Sequence, residues 1–396
     1  MKREKRCCKA VSILNNKTIL PGDTIGIIGG GQLGRMMALS AKSLGFHIAV
    51  LDPTENCPCG QVADFEINGA YDDLDSIEEL ARISDVITFE FENINFEALE
   101  WLEDHAYVPQ GSELLKISQD RLLEKAAISM TGASVAPYFA VNNLHDLYNG
   151  IEKVGYPCVL KTARGGYDGK GQLVIRSEVD IAKATDVLIM GKCVLEAWIP
   201  FVKEISVIIT RKANGDSSCF PVAENIHYNN ILDKSIVPAR ISGQAEAEAI
   251  KQAKLLADEL ELVGTLAVEM FLTAEDEIII NELAPRPHNS GHYTMNACET
   301  SQFEQHIRAI CNWPLGNTNV LKPVVMVNIL GQHLDGLTGH ITNLSDWKLH
   351  LYGKEEAKHN RKMGHINILR PSIDTALSEI NSSGFWNLQT ETEDIS

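Results

Sequence analysis

The chain has 396 residues, 44% of them hydrophobic and 22% charged, which is the balance of a globular protein long enough for two or three domains. Its formal charge of −18 repels polyanions, which argues against non-specific binding to nucleic acid or an anionic membrane and leaves any phosphate to be held by local groups. The nine cysteines lack zinc-ligand spacing and no apolar run approaches the ~20 residues of a membrane span, so a cytoplasmic enzyme with reduced thiols is expected.

Residues 1–22 combine a basic head with a short apolar run and read as a loose N-terminal extension. Over residues 23–120, Ile- and Val-rich runs at 24–29, 47–52, 64–67 and 85–91 alternate with helical stretches, which predicts a parallel α/β domain. A larger mixed α/β and α+β domain follows over 121–320. It begins with the helix "QDRLLEKAAISMTG", carries a lid unit at about 128–195, and continues through a hairpin turning at Asn214-Gly215 to the paired strands "LAVEMFL" and "IIINEL". Residues 321–396 hold three short strands and read as a small β-rich C-terminal domain.

Four motifs carry chemistry. The turn Gly29-Gly30-Gly31-Gln32-Leu33-Gly34 joins a strand to a helix, with Asp52 ending the next strand. It fits a dinucleotide fingerprint, a phosphate-holding turn, or close helix–strand packing alone. The second glycine loop, from Lys161 to Gln172, lies between two strands and leads into no helix, so neither Walker A nor Rossmann geometry suits it. Its Gly165, Gly166, Gly169 and Gly171 let a hairpin fold over a polyphosphate, while Lys161 and Lys170 offset the charge.

Glu269 and Glu282 fall opposite each other if "LAVEMFL" and "IIINEL" form a hairpin. Two apposed acids on apolar strands are costly to bury without a cation between them, and Mg²⁺ is commonly held by one or two carboxylates plus substrate phosphates. The segment directly after, Ala284 to His292, concentrates Arg286, His288, Asn289, Ser290 and His292 between Pro287 and Gly291, and reads as an anion or substrate loop.

In this order the motifs resemble the ATP-grasp superfamily. "GGGQLGRMM", "TFEFENI", "QDRLLEK", "GGYDGKGQ", "PVAENIH", "INELAPRPHNSGH" and "NRKMGH" are similar, more closely, to the N5-carboxyaminoimidazole ribonucleotide synthases. The resemblance implies an ATP-grasp fold with a pre-ATP-grasp α/β domain and a small C-terminal domain. It also implies a ligase that uses ATP and bicarbonate to carboxylate aminoimidazole ribonucleotide, working as a homodimer with Mg²⁺, or Mn²⁺ in its place, and taking small molecules but neither nucleic acid nor membrane.

By position, the resemblance assigns Arg121, Lys161, His227 and the lid residues Gly166, Tyr167, Asp168, Gly169, Lys170, Gly171 and Gln172 to the nucleotide phosphates and their surroundings. Glu196 and Ile199 fall near adenine and Glu204 on the ribose. Glu269 and Glu282, with Asn281 beside them, would hold Mg²⁺ and face the nucleotide. Arg286, His288, Asn289 and Ser290 would meet bicarbonate and the aminoimidazole. Glu92, Tyr167, Asp168, Lys354, Arg361 and Lys362 would bind the ribonucleotide, the last three its phosphate, with Gln32 and Arg35 of the first glycine turn meeting an anion of the same molecule. Arg286, His288, Asn289 and Lys354 are the expected catalytic groups. Ala163 stands where the family is often basic, and Lys358-His359-Asn360 replaces a turn that usually ends in glycine. Asparagine tolerates the left-handed backbone glycine would adopt, so that turn is expected to persist.

Overall fold

A computed structural model describes residues 17–166, 170–344, 346–384 and 386. The N-terminal strands β1 (Thr24–Ile28), β2 (His47–Asp52), β3 (Phe65–Asn68) and β4 (Val86–Phe89) form a parallel sheet in the order β3-β2-β1-β4, as the alternating pattern predicts. β1, β2 and β4 are buried almost throughout, which is why they read as continuous apolar runs rather than alternating ones. Helix Gln302–Ile310 docks on this domain: its Phe303, Ile307 and Ile310 share a core with Ile25, Ile27 and Met37.

The lid unit is a second sheet of β5 (Tyr138–Val141), β6 (Cys158–Thr162), β7 (Gln172–Ile175) and β8 (Cys193–Ala197), ordered β5-β8-β6-β7. Its helices Leu144–Val154 and Ile181–Leu188 close a separate core around Leu147, Leu160 and Leu195. Helix Arg121–Met130 leads into the lid and is capped by Asp120, whose side chain accepts from the Leu122 and Leu123 N–H groups.

The third sheet joins β9 (Phe201–Arg211), β10 (Ser217–Cys219), β11 (Ala223–Tyr228), β12 (Ile231–Val237), β13 (Gly264–Thr273), β14 (Ile278–Ala284), β15 (Val324–Leu330), β16 (Lys348–Leu351) and β17 (Lys362–Leu369). The turn at Asn214-Gly215 joins β9 to β10 as expected. The C-terminal strands do not make a sheet of their own. β15 pairs with β12, so β15, β17 and β16 prolong the central sheet to nine strands, and the wholly buried sequence "VVMVNIL" is explained by neighbours on both edges and cover on both faces. Among the described residues no helix is long and apolar enough to cross a membrane.

Candidate active site

A cavity of about 620 Å³ lies where the three sheets meet. Glu92 and Gln32 enter it from the N-terminal domain, Lys161, Gly166, Lys170, Gly171 and Gln172 from the lid, and Glu204, His227, Glu269, Asn281, Glu282, Arg286, His288, Asn289 and Lys362 from the central sheet and its loops. Arg121 lies on its wall as well. The structure thus brings most of the expected site residues together; Tyr167, Asp168 and Gly169 lie outside the described residues.

The acid pair sits in the register read from sequence, Glu269 opposite Glu282. The next pair is Met270 with Ile280, so Asn281 is the extra residue of a β-bulge. In a regular strand Asn281 and Glu282 would face opposite sides; the bulge lets both line the cavity. Burial raises the Glu269 carboxyl well above the usual range, and the neighbouring Glu282 charge raises it further. Burial acts on Glu282 in the same direction, but Arg121, with Nη1 3.2 Å from Glu282 Oε2, together with Lys161 holds it low. One acid is therefore held ionised, while for the other the positive charge of His227 and Lys362 is outweighed by burial and Glu282. That imbalance fits a divalent cation, and no group of three or more His, Cys, Asp or Glu side chains among the described residues forms a closed metal cage. Glu269, Glu282 and Asn281 would hold the ion with nucleotide phosphates completing its shell.

Beneath the lid, Lys161 Nζ and Lys125 Nζ each lie 3.2 Å from the same oxygen, Glu196 Oε2. Lys125 and Glu196 are 1% and 4% exposed, and the Glu196 carboxylate is set to position the two lysines rather than to form the cavity wall. Ile199 is likewise absent from the wall, where Trp198, Phe201 and Phe271 supply apolar surface with Val159, Val174 and Leu283. Glu124 lies next to Lys125. It accepts from the Leu283 N–H at 2.7 Å, and its carboxyl is pushed up to about 8 by burial and by Glu282. Lys125, Glu124 and Phe271 are further residues of the site that none of the four motifs marks. For the first two a signal existed, because Arg121, Glu124, Lys125 and Ile128 follow i, i+3, i+4, i+7 and place three charges on one helical face that ends in a core residue.

Glu204 and His227 meet on the opposite wall, Nδ1 3.0 Å from Oε2. Burial alone would lower the imidazole, but the Glu204 contact raises it above its ordinary value. In the substrate loop, Arg286 Nη2 lies 2.8 Å from Glu92 Oε1 and so joins the N-terminal domain to the central sheet. Arg286 Nε and both amide atoms of Asn289 are buried without a hydrogen-bond partner, a cost that an incoming anionic or carbonyl group would remove. His288 Nε2 faces Glu269 Oε1 at 3.4 Å, and burial, with Arg286 nearby, holds the ring well below its ordinary pKa. Ser290 departs from the expected arrangement: it is 0% exposed, outside the cavity wall, and hydrogen-bonded to His288 and Ser206.

The first glycine turn is occupied from within the chain. Glu90 accepts from the Gly31 and Gly34 N–H groups at 2.5 and 2.6 Å, and Asp52 accepts from Gly30 at 2.7 Å. These carboxylates satisfy the helix N-terminus that an external phosphate would use. Arg35 likewise turns to Pro58 O and Gln61 Oε1, and of the two expected residues only Gln32 lines the cavity. Lys354 and Arg361 also lie off its wall. Lys354 Nζ donates to Lys362 O at 2.8 Å, and its ammonium is lowered to about 8 by burial and by Arg361. Arg361 is exposed and donates to Glu356 O. Asn360 has φ 63°, the left-handed conformation expected where the family carries glycine.

Three stretches match known families: residues 23–119 a ribonucleotide synthetase preATP-grasp domain, 126–303 an ATP-grasp domain, and 324–379 a phosphoribosylaminoimidazole carboxylase C-terminal domain. The chain is 55% identical over 369 residues to the N5-carboxyaminoimidazole ribonucleotide synthase of Bacillus subtilis, covering 93% of this chain and 97% of that protein. Among solved structures, an ADP complex of an N5-carboxyaminoimidazole ribonucleotide synthetase is 62% identical with a TM-score of 0.93, covering 94% of this chain and 99% of that one. A complex of the Aspergillus clavatus synthase with ADP and 5-aminoimidazole ribonucleotide is 30% identical with a TM-score of 0.87, covering 92% and 98%. With the three domain matches in sequence along one chain and a relative this similar over nearly its full length, the chain belongs to the N5-carboxyaminoimidazole ribonucleotide synthase family of ATP-grasp ligases.

Proposed function

We propose that the chain uses ATP to phosphorylate bicarbonate and transfers the carboxyl group to the exocyclic amine of 5-aminoimidazole ribonucleotide, giving N5-carboxyaminoimidazole ribonucleotide, ADP and phosphate in purine biosynthesis. One observation carries the reading: Glu269 and Glu282 face each other in a cavity that also holds Lys161, Arg286, His288 and the unpaired Asn289 amide. Bicarbonate lacks a good leaving group. Attack of its oxygen on the γ-phosphorus of ATP releases ADP and forms carboxyphosphate. The amine nitrogen then bonds to the carboxyl carbon, either directly or after CO2 has formed, as the C–O bond to phosphate breaks and the nitrogen loses a proton.

The protein's part is to position the reactants, balance charge and keep water from a labile intermediate. Lys161 offsets phosphate charge, its ammonium aligned by Glu196. Arg286 and Asn289 present the donors for bicarbonate, and Glu92 orients Arg286. Lys362 on the cavity wall, with Lys354 and Arg361 behind it, supplies positive charge for the ribonucleotide phosphate. Mg²⁺, or Mn²⁺ in its place, would offset the β- and γ-phosphate charge while held by Glu269, Glu282 and Asn281. The enzyme acts as a homodimer in the cytoplasm. ADP release should require Mg²⁺ and rise when 5-aminoimidazole ribonucleotide and bicarbonate are supplied together; ADP release indifferent to the ribonucleotide would sink the assignment.

A further inference from the structure

Behind His288 runs a row of buried polar side chains that the reaction scheme leaves unused. Ser206 on β9, Asn225 on β11 and Ser235 on β12 stand on strands that are adjacent in the central sheet, and they are 1%, 6% and 0% exposed. Ser235 Oγ donates to Asn225 Oδ1 at 2.8 Å, Asn225 Nδ2 to Ser206 Oγ at 3.0 Å, and Ser206 Oγ to Ser290 Oγ at 2.8 Å. Ser290 Oγ then lies 2.9 Å from His288 Nδ1, and the Ser290 backbone N–H reaches the same nitrogen at 3.3 Å. A row of polar groups inside an apolar sheet is costly unless every member is satisfied, and a satisfied row has one definite arrangement.

The direction of the row starts from one group that cannot reverse its role, and the Asn225 amide is turned to agree with it. A backbone N–H only donates, so Nδ1 of His288 accepts and the ring proton is on Nε2. The Asn225 amide presents N–H to Ser206, which leaves the Ser206 proton for Ser290 and the Ser290 proton for Nδ1. Hydroxyls donate or accept equally well, so the serines take their sense from the two ends of the row, the Ser290 N–H at His288 and the amide at Asn225. At the far end Nε2 lies on the cavity side, 3.4 Å from Glu269 Oε1.

We propose that Asn225, acting through Ser206 and Ser290, is a positioning residue that, together with the weaker contact from the Ser290 backbone N–H, holds the His288 proton on Nε2, so that His288 meets the reactants as a hydrogen-bond donor and not as a base. The proposal deepens the carboxylation reading and rests on it only for the identity of the anionic oxygen that receives the bond, an oxygen of bicarbonate or of its phosphorylated form. Asn225→Asp is the sharpest test: it keeps the shape but offers no N–H, so Ser206 turns toward position 225 and Ser290 becomes free to accept from Nδ1–H. In substrate-free enzyme carrying ¹⁵N-labelled histidine, two-bond ¹H–¹⁵N correlations should report a single Nε2–H form for His288, assigned by its loss in His288→Gln. Asn225→Asp should add an Nδ1–H population and lower kcat for ribonucleotide-dependent ADP release by roughly 10–100-fold, leaving KM for ATP unchanged.

Should a carboxylate at position 225 prevent folding, Ser206→Ala decides instead, because it also frees the Ser290 hydroxyl to accept and should add the same Nδ1–H signal. If a folded variant keeps the pure Nε2–H form and the wild-type kcat, Asn225 does not set the proton and the proposal fails. The spectrum is recorded without substrate, so a wild-type enzyme that ignores the ribonucleotide would overturn the activity and leave the proton assignment to be judged separately.

Discussion

Replacing Glu196 with Gln removes one charge from beneath the lid and leaves two. Both lysine ammoniums lie 3.2 Å from the same carboxylate oxygen, on side chains 2% (Lys125), 15% (Lys161) and 5% (Glu196) exposed, so solvent cannot replace the lost counter-charge. Removing one partner of a buried ion pair costs about 3–5 kcal/mol. For a cooperative unit of about 150–250 residues that amounts to a fall in Tm of roughly 6–20 °C. Burial raises the Glu196 carboxyl, but Lys161 and Lys125 outweigh it and hold the group below its ordinary value. The sign follows: this stabilisation is present above the unfolded carboxyl value of ~4.3 and is lost as pH falls through the lower folded one.

Thermal unfolding of wild type and Glu196→Gln should therefore differ most near pH 7 and converge in acid. Adding ADP should narrow the gap at pH 7, since its phosphates bring anionic charge to Lys161. A variant that unfolds within about 1 kcal/mol of wild type at pH 7 would refute the view that Glu196 is the counter-charge of the two lysines.

Glu282→Gln should cut Mg²⁺-dependent ADP release by more than ~100-fold with Tm little changed, and retained turnover would remove Glu282 from the metal site. For Glu124, raised to about 8 by burial and Glu282, the wild-type protein should lose stability as pH rises from ~4.3 toward 8, and Glu124→Gln should flatten that slope in urea titrations. Lys354, lowered to about 8 by burial and Arg361, should make kcat/KM for the ribonucleotide fall above that pH as its charge is lost; Lys354→Met should abolish this alkaline limb along with most of the activity. Gly34→Ala puts a Cβ 2.5 Å from the Gly29 carbonyl oxygen, and despite the better helix propensity of alanine it should destabilise by ~1–3 kcal/mol in denaturant unfolding.

The features legible in the sequence were those with a local pattern. The facing of Glu269 and Glu282 follows from strand alternation and a turn between them, and that turn carries Asp276 at φ 60°. The bulge at Asn281 has no such signature, because nothing in "IIINEL" marks which residue is extra. Ser290 looked like a substrate donor from its place among other donors, yet its hydroxyl serves Ser206 and His288, partners fixed only by the pairing of distant strands. Lys125 by itself gives no local sign of its burial, because a charged residue on an amphipathic helix normally faces water; its partner Glu196 lies on the distant lid strand β8. The joining of β15 to β12 is equally hidden, since a buried strand shows that it has neighbours without showing which.

The carboxylate of Glu90 changes what the glycine turn makes possible. A helix start whose free N–H groups are already satisfied by a side chain of its own chain needs no ligand there. A dinucleotide phosphate could enter there only by displacing a buried acid hydrogen-bonded to two backbone N–H groups. To rebuild this domain as a cofactor-binding module, a designer would begin by removing Glu90, leaving the glycines as they are.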